Sequence, residues 1–185
     1  MPWDSILYEK IENIVKITMN RPESHNAQDY HMIDELDEAF TQAELDEEVR
    51  VIILAGAGRS FSSGHDMSSR ARPSSAPDME ISLEGLEGRM WRERRIYFER
   101  CLKIRNLDKP TIAQVHGYCI GAGLMLAAMC DIIIASEDAS FQDPVLRMGF
   151  SAAELLVEPW EFGPRRAKEF LWTGDSFDAR EACRL

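Results

Sequence analysis

The chain has 185 residues, with 21 basic against 32 acidic side chains and a formal charge of −11. A chain of this length buries roughly 70% of its unfolded surface without disulfide or metal staples, and its 45% hydrophobic and 29% charged residues sit near globular averages, which excludes a fibrous repeat or extended disorder. The negative charge repels nucleic-acid phosphates and anionic lipid, so neither nucleic acid nor a membrane surface is an expected partner.

One domain spanning 1–185 is expected. The segment MPWDSILYEK places an acid ahead of any apolar run and lacks a basic stretch, so a secretory leader is not expected and the anticipated location is cytoplasmic. Residues 6–10 and 14–19 are β-prone runs separated by a short turn in which Asn13 is a good turn residue, and they read as a hairpin. After the polar loop NRPESHNAQ, the apolar positions Met32, Ile33, Leu36, Ala39, Phe40 and Ala43 recur at three- and four-residue steps. That spacing predicts a helix to about residue 45, with Asp29 as N-cap.

VRVIILAG then reads as a strand covered on both faces. Segment 70–77, RARPSSAP, is the best candidate for a mobile loop. Residues 90–107 are amphipathic, with Met90, Trp91, Tyr97, Phe98, Cys101, Leu102 and Ile104 on one broad face and a basic opposite face. Stretch 112–135 is the most apolar, but Gln114, His116, three glycines and Asp131 interrupt it, so it predicts a buried strand-turn-helix-strand unit and not a membrane span. A strand at Ser140 and Phe141 and a helix over 165–172 complete the order. Paired strands alternating with helices define an α/β class.

The four cysteines form no C-x-x-C pair and read as structural, without metal or redox roles. Gly56 and Gly58 resemble the start of a dinucleotide fingerprint, but Phe61 stands where its third glycine belongs, and no G-K-[ST] sequence provides a phosphate loop. Two glycine loops carry more weight together. FSSGHD ends one buried strand, and HGYCIGAG joins another to a helix, where Gly121, Ala122 and Gly123 let a ligand approach free N–H groups. Such a place suits a carboxylate, a phosphate or a developing oxyanion.

HGYCIGAGLMLAAMCDIIIASEDASFQDP, with NRPESHNAQ, VRVIILAGAGRSFSSGHDM and FGPRRAKEFLWTGDSFDAREACRL, closely resembles the crotonase family of enoyl-CoA hydratases and isomerases. The resemblance covers nearly the whole chain. It implies the crotonase fold, an α/β superhelix of ββα units, and homotrimers or hexamers. It implies no permanently bound cofactor, and a coenzyme A thioester as substrate. Family chains continue with C-terminal trimerisation helices that have no counterpart before Leu185, so the expected fold lacks that helical part.

Matching the loops residue by residue implies an oxyanion hole made by the backbone N–H groups of Ser63 and Ala122, and places Gly121 among the residues that bind coenzyme A. It also implies a coenzyme A cradle around His25, Asn26 and Ala27 and around Ser62, Gly64, His65, Asp66 and Met67. Asp66 is further expected to make a structural loop bond. Arg21, Arg59, Arg70, Arg92, Arg94 and Arg95 are available for phosphates.

The sequence departs from the family at the acid and base, because the two hydratase glutamate positions hold Met125 and Val145. These suit an apolar acyl pocket and cannot transfer protons. Three replacements are open. Glu154 falls where some family isomerases place a carboxylate, among apolar neighbours that would raise its pKa. Asp143 precedes Pro144, which favours extended backbone and would put it on the same side as Val145. His65 could titrate near neutrality. Glu158 and Glu161 are further candidates. The expected activity is hydratase, isomerase or other enolate chemistry on acyl-CoA, with an inactive coenzyme A-binding subunit or an acyl-CoA thioesterase as alternatives.

Overall fold

The computed structural model of the chain describes residues 3–68, 85–149 and 157–185. β1 (Ile6–Ile11) and β2 (Ile14–Met19) form the expected antiparallel hairpin. The left-handed turn position is taken by Glu12 and not by Asn13. Asn13 has another task, since its side-chain amide donates to the Glu48 carbonyl (2.8 Å) and its own carbonyl accepts from Arg50 N–H (2.7 Å), tethering the hairpin to the next strand.

α1 (Tyr30–Leu45) starts at the predicted cap, with Asp29 accepting from Met32 N–H at 2.9 Å. Met32, Leu36, Ala39, Phe40 and Ala43 are its buried stripe. Glu35 on the same helix accepts the N–H groups of Asp4 and Ser5 (2.7 and 2.8 Å), which fastens the start of the chain to α1.

β3 (Val51–Gly56) follows, then α2 (Gly85–Glu93), a wider turn of π type over Arg94–Phe98, and α3 (Glu99–Arg105). The helical stretch therefore begins earlier than its apolar periodicity indicates. Met90, expected on the buried face, is exposed, whereas Cys101 and Ile104 are buried. β4 (Thr111–Val115), β5 (Tyr118–Ile120), α4 (Ala122–Met129), β6 (Ile132–Ala135) and β7 (Ser140–Gln142) come next. α5 (Glu158–Glu161), α6 (Pro164–Thr173), β8 (Phe177–Asp178) and α7 (Ala179–Ala182) end the chain.

Five strands form one sheet in the order β1-β2-β3-β4-β6, parallel from β2 onward. β5, β7 and β8 form a second, smaller sheet. The short β5 lies inside what the sequence presents as a glycine loop. All eight residues of α4 are buried, which explains a helix with no polar face.

β6 corrects the expectation of a wholly buried unit. It is the edge of its sheet, and Ile132 and Ile134 are 54% and 58% exposed. The C-terminal elements dock through stacked and edge-on rings of Phe141, Phe162, Phe170 and Phe177, with centroids 5.0 to 5.8 Å apart. Among the described residues, no helix is long and apolar enough to cross a membrane.

Candidate functional site

The two glycine loops meet. Phe61 N–H donates to the His116 carbonyl (2.8 Å), Ser62 N–H to Tyr118 (2.9 Å), and Ile120 N–H back to Ser62 (3.0 Å), so 61–62 runs beside β5 like a short extra strand. The first turn of α4 lies directly on this segment. A Cβ on Gly123 would sit 2.7 Å from the Ser62 carbonyl oxygen, and one on Gly64 3.4 Å from the Ala122 nitrogen. Only glycine permits the first approach, and Gly64 is required as glycine by its φ of +93° and by the Ile120 carbonyl oxygen, 2.9 Å from where its Cβ would be. Ala122 opens α4 after Gly121, which provides no capping side chain, so the Ala122 N–H lies among the donors that a helix leaves without an internal acceptor.

Ser63 does not fill its expected place. Its N–H donates to the His25 carbonyl at 2.9 Å, so this donor is already committed within the protein. The backbone alternates one residue further on. Gln28 N–H donates to the Gly64 carbonyl (2.8 Å) and Asp66 N–H to the Gln28 carbonyl (2.9 Å), which turns the intervening His65 N–H away from residue 28.

The 25–28 loop is held from within. Asn26 is fully buried with φ +54°; its amide donates to the carbonyls of Ala57 (2.9 Å), Ser60 (2.8 Å) and Phe61 (3.1 Å), and its oxygen accepts from Arg21 N–H (2.9 Å). Ser62, expected at the coenzyme A cradle, is fully buried instead. Its hydroxyl donates to the Asn26 carbonyl (2.9 Å) and accepts from Gln28 and Gly64 (3.1 and 3.2 Å). Arg21 is likewise spent internally, on the Ala27 carbonyl, Asp29 and Asp66. Asp66 makes the expected loop bonds, accepting from Ser68 N–H (2.9 Å) and pairing with Arg21 (3.0 Å), and bonding to Ser68 and Arg21 holds its carboxyl below the usual range.

His25 and Ala27 are half-buried, Met67 is exposed, and Arg59 is exposed nearby. Arg94 and Arg95 pair with Glu99 on the α2–α3 surface (3.2 and 3.9 Å). Arg70, Glu154 and the side chain of Arg92 lie outside the described residues.

An apolar cavity opens beside the loops, between α1, α3 and α4, lined among others by Leu36, Phe40, His65, Tyr97, Ile104 and Met125. The His65 and Tyr97 rings are 3.9 Å apart, centre to centre. Met125 lines this cavity and Val145 is not among its lining residues. After β7 the chain turns at once: Asp143 Oδ1 accepts from Val145 N–H (3.1 Å), and Met148 N–H bonds back to the carbonyl of Pro144 (3.1 Å). The strand alternation expected to align Asp143 with Val145 therefore does not continue past Gln142.

Asp143 is buried, and so is Glu158 at the start of α5; Glu161 is exposed, 3.9 Å from Arg105. Burial, with a smaller contribution from the negative charge of Asp143, pushes the Glu158 carboxyl up to about 7, while the N–H groups of Glu158 and Val157 offset this only in part.

The enoyl-CoA hydratase/isomerase family profile matches residues 9–185, and the chain belongs to that family. Its fold is the crotonase fold. EchA13 of Mycobacterium tuberculosis, provisionally named an enoyl-CoA hydratase, is 47% identical over 97% of this chain and 61% of its own. The crystal structure of a probable enoyl-CoA hydratase from Mycobacterium smegmatis superposes with a TM-score of 0.85 at 45% identity, covering 97% of this chain and 68% of that one. An enoyl-CoA hydratase/isomerase from Xanthobacter autotrophicus Py2 gives 0.87 at 36% identity, covering 100% and 65%. The chain thus spans about three fifths of the length of EchA13, a curated relative.

Proposed function

We propose that the protein acts on acyl-CoA thioesters, polarising the thioester carbonyl between the N–H groups of Ala122 and His65 so that an enolate can form on its oxygen. The approach of Gly64 to the Ala122 nitrogen carries this reading, because it sets the peptide that follows Gly64 beside the open start of a buried helix. The helix dipole adds partial positive charge where the oxyanion would develop. The apolar cavity bordered by His65 and Met125 is suited to the acyl chain. His25, Ala27 and Met67, at the rim, would meet the coenzyme A portion together with Arg59.

The names of the relatives support hydration or isomerisation as the reaction class. The test is turnover of short trans-2-enoyl-CoA thioesters, with Ala122→Pro beside the parent. Proline is tolerated at the first position of a helix; it removes the N–H and puts a ring carbon on that nitrogen. The expected loss is about 100- to 1,000-fold in turnover, with circular dichroism unchanged. An undiminished rate in a folded variant would overturn the reading.

A further inference from the structure

We propose that Glu158 and Asp143 form a proton-sharing carboxyl pair that exchanges the proton at the acyl α-carbon, replacing the glutamates absent at positions 125 and 145. This rests on the thioester reading above. Glu158 is 4% exposed and Asp143 8%, and Glu158 Oε2 is buried with no hydrogen-bond partner among the described residues. Neither burial nor packing explains such an oxygen, since an apolar side chain would fill the position at lower cost. The charge that acts on Glu158 from outside its own helix is that of Asp143, of the same sign. Two carboxyls so placed cannot both ionise readily, since the charge on one disfavours the charge on the other.

The pair stands beside the proposed oxyanion site. Ile120 and Gln142 are register partners in parallel strands, and Gly121 N–H donates to the Gln142 carbonyl at 2.9 Å. Asp143 follows Gln142 directly in the chain, as Ala122 follows Gly121, so the two residues flank that hydrogen bond. The Phe141, Phe162, Phe170 and Phe177 cluster locks α5 and α6 onto β7, which fixes Glu158 relative to Asp143.

In the step itself, the ionised member of the pair takes the α-proton, the C–H bond breaks, and its electron pair moves onto the thioester oxygen. Return of a proton from the pair to the α-carbon reverses the charge movement and restores both carboxyls. Hydration uses the same inventory. One member accepts a proton from water as the oxygen bonds to the β-carbon, the other delivers its proton to the α-carbon, and transfer within the pair resets it.

The experiment follows exchange of the α-protons of butanoyl-CoA in deuterium oxide by proton NMR, with butanoyl-CoA affinity measured calorimetrically on the same samples. The parent is expected to exchange. Glu158→Gln should lose about 100-fold or more in exchange rate while Kd stays within about threefold. Asp143→Asn should retain affinity and shift the pH dependence of exchange. Butanoyl-CoA bound by the parent without exchange, or exchange in Glu158→Gln at the parent rate, would overturn the pair alone. Absence of butanoyl-CoA binding by the parent would overturn the thioester reading on which it rests.

Discussion

Gly64 and Ala122 meet across two loops that are nearly sixty residues apart in the chain, and a Cβ on Gly64 would come within 2.9 Å of the Ile120 carbonyl oxygen and 3.4 Å of the Ala122 nitrogen. The contact leaves no room for a side chain, and the positive φ adds a conformational penalty for any residue but glycine. Gly64→Ala is therefore expected to lower stability by about 1–3 kcal/mol and to reduce thioester turnover more than tenfold. Ser63→Ala, one residue away, removes only a hydroxyl that donates to the Ser24 carbonyl at 3.3 Å, and should change both by little. Thermal melts and turnover on the two variants check the contrast; equal damage from both would contradict it.

Asn26→Ala removes a fully buried amide that donates to three carbonyls and an oxygen that accepts from a fourth backbone group. Each orphaned group costs about 1–3 kcal/mol when water cannot reach it, and partial relaxation brings the expected total to roughly 3–5 kcal/mol. Urea denaturation should show a lower midpoint with an unchanged slope.

Glu158 makes stability depend on pH in an unusual direction for a carboxyl. Its folded-state value of about 7 lies above the ordinary 4.5, so its contribution is fully present below pH 4.5 and is lost as the pH rises through 7. Glu158→Gln should therefore match the parent near pH 4 and be more stable near pH 8, by on the order of 2–3 kcal/mol. Denaturant titrations at the two pH values decide it. A variant less stable at pH 8 would show that Glu158 is ionised and held by a favourable partner.

Met125→Ala empties part of the cavity wall in a helix that is buried all round. The change should cost about 2–5 kcal/mol. If the cavity takes the acyl chain, kcat/KM should move toward longer acyl groups, read by competition between short and medium enoyl-CoA thioesters.

Much of the fold was legible because periodicity and punctuation agreed. The hairpin, the Asp29 cap, the α1 stripe and the covered β3 and β4 all follow from local patterns. β6 was not legible in the same way: its isoleucines look like core residues, and only the strand order reveals that it is an edge. At the site, the open start of α4 at Ala122 could be located because a glycine immediately precedes an apolar helix. Ser63 could not be excluded by composition, since its commitment to His25 depends on a contact between residues that are distant in the chain. Glu158 shows the same limit, because nothing in VEPWEFG indicates that this glutamate, and not Glu161, turns inward beside Asp143.

The Asn26 clasp has a kinetic meaning. Its hydrogen bonds join the 21–28 and 57–61 segments using only the protein's own groups, so this pair of loops is shaped before any ligand arrives. Encounter then resembles the docking of a ligand into a rigid mould, with little ordering entropy to lose on the protein side. Changes that loosen the clasp should therefore slow productive capture and hasten escape together, even where every group that touches the ligand is intact.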